Sequence, residues 1–168
     1  MSTPAMMRVV EREARVFRRL WRGSVFSSLM TPVLFLAAMG VGLGDLIDQR
    51  SGGAGGVTYV QFIAPGLLAA SAAMVAAAES MWPVLGGIKW MRTSHGMAAT
   101  PIEPADVFGG LLAWTAVRDA MTAAAFVAIA ALFGAVPSAW GVLAIPAAAL
   151  CGCAFAAPLS AFSATQET

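Results

Sequence analysis

Three stretches of this chain carry no Asp, Glu, Lys or Arg: residues 23–44, 57–78 and 120–166. The first two are 22 residues long and the third is 47. A helix rises about 1.5 Å per residue, so about 20 mostly apolar residues carry it across ~30 Å of hydrocarbon. The first two runs each fit one crossing. The third is long enough for two, with Val136-Pro137-Ser138 as the natural turn between them. Composition points the same way: 59% of the 168 residues are hydrophobic and 11% are charged, with a mean hydropathy of +0.77, against about 45–50% and about 25% in soluble domains. A soluble fold of this length still needs a polar shell around its core. The fold class that follows is an all-α integral membrane protein with four transmembrane helices.

Charges and prolines set the limits of the spans. The first covers residues 24–44 and contains Thr31-Pro32, where proline removes a backbone hydrogen bond and kinks a helix; Asp45, Asp48 and Arg50 end it. Residues 51–56 read as a Gly-rich exposed loop. The second span, 57–78, has Tyr59 at its start and Trp82 just beyond its close at Glu79, positions that suit interfacial aromatics. The third covers 111–136 and holds Arg118 and Asp119 near its inner boundary, where both can snorkel to the headgroups. The fourth covers 140–162, opening at Trp140 and bent by Pro146 and Pro158. Cys151 and Cys153 point about 200° apart on that helix, so they read as small packing residues rather than a disulfide or a metal pair.

The basic residues are unevenly placed. Six of the ten lie in the first 22 positions: Arg8, Arg12, Arg15, Arg18, Arg19 and Arg22. The loop around Arg50 has one, residues 79–106 have two, and the turn at Pro137 has none. The positive-inside bias therefore predicts a cytoplasmic N-terminus, a cytoplasmic segment 79–106 and an external loop at 52–56, with four crossings returning the C-terminus to the cytoplasm. Residues 5–22 also read as an interfacial amphipathic helix. Arg8, Arg12, Arg15, Arg19 and Arg22 fall within about 80° of one another at 100° per residue, while Met6, Val10, Ala14, Phe17 and Trp21 gather opposite. The apolar face is expected in the headgroup boundary and the Arg face against anionic lipid or a neighbouring protein. Glu79 and Arg118 fall at similar depth on consecutive antiparallel spans, and we expect them to pair, because unpaired charges are costly there.

The segment 79–106 is richer than a linker. Gly86-Gly87 and Gly96 bracket residues 88–95, which combine Trp90 and Met91 with Lys89 and Arg92. Bracketing glycines can end a helix on both sides, so a two-turn helix lying along the membrane is expected there. Pro104 suits a first helical position and Asp106 a first turn, so the helix of the third span should begin before the membrane does.

Enzymatic readings find little support. The chain has no G-x-x-x-x-G-K-[ST] and cannot cradle ATP phosphates itself. Gly40-Val-Gly-Leu-Gly44 lies inside a span, where helix packing explains it better than nucleotide binding. His95 is the only histidine and has no Cys or carboxylate at ligand spacing, so no metal or catalytic residue is expected. A net charge of +1 supplies no field to recruit nucleic acid.

Several motifs in fixed order resemble the ABC-2 type permeases, in particular the daunorubicin-resistance and nodulation-factor export branch. They are Tyr59-Val-Gln-Phe-Ile-Ala-Pro-Gly66, Gly87-Ile-Lys-Trp-Met-Arg-Thr-Ser-His95 and Ala99-Thr-Pro-Ile-Glu-Pro-Ala-Asp106, then Trp114, Arg118, Leu132-Phe-Gly-Ala-Val-Pro137 and Ala161-Phe-Ser-Ala-Thr-Gln166. The resemblance implies the permease subunit of an exporter in the plasma membrane, paired with a second permease copy and with cytoplasmic ABC ATPase subunits that bind the ATP and Mg. Its cargo would be an amphiphilic drug, a glycolipid or a polysaccharide. It also implies that 79–106 is the coupling segment, with Lys89, Trp90, Met91, Arg92 and His95 docking on the ATPase. The family pattern has six spans with a re-entrant hairpin between the last two, whereas four are found here. The expectation is therefore a partial transmembrane domain, and the alternative is a non-transporting scaffold or relic.

Overall fold

The computed structural model describes residues 5–51, 56–100 and 102–166. Helix α1 (Ala5–Phe35) continues through a π-helical stretch (Leu36–Leu43) into the short α2 (Gly44–Ser51). Helix α3 (Tyr59–Lys89) runs back, the six-residue α4 (Thr93–Ala98) turns the chain, and α5 (Pro104–Leu132) runs out again. A 3-10 turn (Ala139–Leu143) leads into the returning α6 (Ala144–Thr165). Among the described residues, four segments are long and apolar enough to cross a membrane: Ala5–Gly40, Tyr59–Lys89, Pro104–Leu132 and Ala139–Thr165.

Small residues at four-residue spacing let these helices approach. On α3 the buried ladder is Ala64, Leu68, Ala72, Ala76 and Ser80, all small but Leu68, and on α6 it is Ala148, Gly152, Ala156 and Ser160. These two ladders face each other, since α3 and α6 form the most extensive contact in the bundle. Backbones close together gain dispersion contact, which takes over in lipid where the hydrophobic effect between helices fades. Helix α5 brings Ala123, Phe126 and Ala130 to the same core, and Leu36 of the π-helical stretch completes it. Phe126 and Leu36 are its largest fully buried apolar side chains.

The two ends of the bundle are tied differently. At one end the Asp48 carboxylate accepts from the Tyr59 N–H at 3.0 Å, and Gln61 accepts from the Thr58 N–H while donating to the Gly134 carbonyl at 3.2 Å. Gly134 takes φ +71, open to glycine without strain, to turn the chain after α5. At the other end Val9 and Met6 of α1 pack on Gly110 and Gly109 of α5. A Cβ at Gly110 would stand 2.6 Å from that of Val9, so the crossing needs glycine.

Three boundaries differ from the sequence reading. Residues 5–22 are not set apart from the first span at Gly23: one α-helix runs from Ala5 to Phe35, since a single glycine costs only about 1 kcal/mol in a helix interior and does not by itself end the helix. Glu79 does not close α3, and Gly86-Gly87 do not break it, because the helix continues to Lys89 through Pro83. Gly86 and Gly87 are buried there instead. The short helix accordingly falls at Thr93–Ala98 rather than 88–95, and Trp90, Met91 and Arg92 make the turn before it. Helix α5 starts at Pro104, with Glu103 as its N-cap and Asp106 in its first turn. Of the loop expected at 51–56, residues 52–55 lie outside the described residues.

Candidate functional site

Two places bring the chemistry-bearing residues together: the charged junction of α1, α3 and α5, and the turn between α3 and α5. Adjacent residues on a helix point about 100° apart, so Arg118 and Asp119 leave α5 in different directions. Arg118 turns toward α3 and α1. Its Nη1 donates to Glu79 Oε1 at 2.5 Å, its Nη2 donates to Ser24 Oγ at 2.6 Å, and its guanidinium lies 4.9 Å from the centre of the Phe17 ring. Phe17 in turn meets Trp114 of α5 edge-on, with ring centres 5.7 Å apart. The sequence places Phe17 in the headgroup layer, whereas the structure packs it between α1 and α5. The reason is that α1 lies along α5 here, so protein rather than lipid covers part of its apolar face.

Asp119 does not snorkel. It is 1% exposed and packs against Gly152 of α6, where any Cβ would land on its carboxylate. Neither of its oxygens has a hydrogen-bond partner among the described residues, and the buried Ser80 hydroxyl on α3 has none either. The sequence analysis missed this burial: in the bundle Asp119 shares a face of α5 with buried Thr115 and Ala123, each four residues away, and that face turns inward rather than to the headgroups.

The basic face of α1 is open. Arg8, Arg15, Arg18, Arg19 and Arg22 are exposed, Arg15 pairs with Glu11 at 2.6 Å, Arg12 pairs with neighbouring Glu13, and Arg22 lies over the exposed Trp21 ring at 5.8 Å. At the α3–α5 turn, the Gly86 carbonyl accepts from the N–H groups of both Trp90 and Met91, at 3.2 and 2.9 Å. The Trp90 ring folds back toward Gly86, where an added Cβ would touch it at 3.6 Å. Trp90 and Met91 nevertheless remain 65% and 69% exposed. Lys89 and Arg92 beside them are exposed too, and Arg92 takes φ 50, a left-handed conformation uncommon outside glycine. The side chain of His95 lies outside the described residues. The turn thus presents two large apolar side chains and two cations on one short surface. Among the described residues no group of three His, Cys, Asp or Glu is placed to hold a metal ion.

This architecture is that of a multi-pass α-helical membrane protein. In sequence the chain is similar to nodulation protein J of Rhizobium leguminosarum bv. trifolii, with 32% identity over 140 residues, 81% of this chain and 52% of that protein. It is also similar to nodulation protein J of Rhizobium leguminosarum bv. viciae, 28% identical over 88% of this chain and 56% of the relative, and to that of Sinorhizobium fredii (strain NBRC 101917 / NGR234), 30% identical over 88% and 55%. The chain spans about half the length of these curated relatives. No family model and no solved structure matches it.

Proposed function

We propose that this chain is membrane-spanning permease sequence of an ABC-type exporter, with the turn at residues 89–92 as its docking point for a cytoplasmic ATPase. The observation that carries the reading is the exposure of Trp90 and Met91 between Lys89 and Arg92, on a turn joining two membrane-length helices of a chain similar to nodulation protein J. Trp and Arg are the residues most often found as interface hot spots, and Met adapts to irregular grooves. An acidic, apolar groove on a partner fits that surface. ATP and Mg would bind in the partner, and a second permease copy would complete the pathway. In this arrangement the N-terminus and the 89–92 turn are cytoplasmic, in the plasma membrane. The cargo is an amphiphilic drug, a glycolipid or a polysaccharide, and a glycolipid is the first to try.

The test is to express the chain with a cytoplasmic ABC ATPase subunit from the same organism and to purify through a tag on the chain. Stoichiometric recovery of the ATPase, with a turnover altered by the permease, is expected. An ATPase that neither copurifies nor changes its turnover would leave a non-transporting membrane scaffold as the better account.

A further inference from the structure

Between α1 and α3 lies a groove of about 490 Å³, within the membrane-length part of both helices and open along one side. Its volume falls in the range of small-molecule sites, about 300–1,000 Å³. Much of the lining is apolar, with Phe35 from α1 and Leu67, Met74 and Val75 from α3. The other feature is a row of hydroxyls. Ser24, Ser27 and Thr31 recur at spacings of three and four along one face of α1, and Ser71 lines the groove from α3. At 1.5 Å per residue the α1 row extends about 10 Å.

The hydrogen bonds of that row say what it can still do. Ser27 donates its hydroxyl proton to the Ser24 carbonyl at 3.1 Å, and Ser71 donates to the Leu68 carbonyl at 2.8 Å. Each donor is therefore directed into its own helix, and each oxygen keeps lone pairs for an outside donor. Pro32, also in the wall, has no N–H to give to the carbonyl of residue 28. Glu79 and Arg118 close one end, and their charges are directed at each other. The groove thus offers hydrogen-bond acceptors beside apolar side chains and has no unpaired charge to attract an ion.

From this arrangement we infer that the α1–α3 groove binds an amphiphile with a neutral head rich in hydroxyl or amide donors, the head on the Ser27–Thr31–Ser71 row and the chain along Phe35 and Met74. The inference rests on the exporter reading for its biological sense, and its test reads binding alone, without ATPase. An anionic or zwitterionic head would find the groove's two charges, Glu79 and Arg118, already paired with each other. A bare hydrocarbon would leave the acceptors unmatched.

The test uses the full chain in phosphatidylcholine nanodiscs with three diazirine-bearing C12 probes: an alkyl glucoside, an alkyl phosphocholine and a plain alkane. Labelled peptides are mapped by mass spectrometry. The glucoside should label the peptides around Phe35 and Met74 about tenfold more than either other probe, the scale of one or two hydrogen bonds. The paired substitution Thr31→Val and Ser71→Ala keeps the groove's shape and should erase that preference, leaving labelling by the alkane unchanged. Ala70→Trp fills the groove and should abolish glucoside labelling in protein that still elutes as a single species. Equal labelling by all three probes would show only a greasy surface and overturn the inference. Absence of labelling by any probe would mean that protein covers the groove, and would overturn it as well.

Discussion

At the scale of single residues, the charged junction is held by geometry that simple substitutions can probe. The Glu79–Arg118 pair has side chains 23% and 12% exposed, so removing one partner leaves a largely desolvated charge. Glu79→Gln or Arg118→Gln should each cost about 1–3 kcal/mol. The exchanged pair Glu79→Arg with Arg118→Glu should recover part of the loss, as read by thermal unfolding in detergent. Losses that simply add, with no recovery, would show that the two residues are not coupled. Asp119 offers a second cycle. Gly152→Ala drives a methyl onto its carboxylate and should destabilise the bundle by about 1–3 kcal/mol, the usual cost of overpacking. Combined with Asp119→Ala, the same substitution should cost much less, because the obstructing group is gone. An equal cost in both backgrounds would place the Gly152 contact elsewhere.

At the scale of elements, the ends of the helices say how far a sequence can be read. Four apolar helices were legible because bilayer thickness dictates the length of a charge-free run. The start of α5 was legible because Glu103-Pro104 and Asp106 act locally on a helix N-terminus. The end of α3 was not. A charge such as Glu79 marks a change of solvent, whereas a helix ends only where its backbone hydrogen bonds find other partners, and here that happens at Gly86, whose carbonyl takes two turn N–H groups. The same distinction explains the join of the Arg-rich segment to the first span, and why the exposed turn centres on residues 90–92. Which side of each helix meets protein was only partly legible: four-residue ladders of small residues were present in the sequence, but their partner helices follow from the packing of the bundle. The ladders also carry a prediction. Ala76→Leu, at a position 0% exposed in the α3–α6 contact, should lower the melting temperature by several degrees. Met74→Leu, two residues away and 71% exposed, should leave it unchanged. Similar effects at the two sites would mean that α3 presents another face to the bundle.

For the molecule as a whole, the up-and-down order of the helices places Val57 and Met91 at opposite ends of α3. In a variant with Cys151 and Cys153 replaced by alanine, an impermeant thiol reagent applied to intact cells should label Val57→Cys and spare Met91→Cys. The reverse pattern would invert the topology and remove the turn from the cytoplasm. Whether the 89–92 turn grips an ATPase is decided by the affinity of the reconstituted chain for the ATPase subunit before and after Trp90→Ala. Trp90→Ala should lose about 30-fold in affinity, on the scale of a hot-spot residue, with unchanged insertion and loss of cargo-stimulated ATP hydrolysis. Undiminished affinity for the ATPase in the inserted variant would contradict docking at this turn.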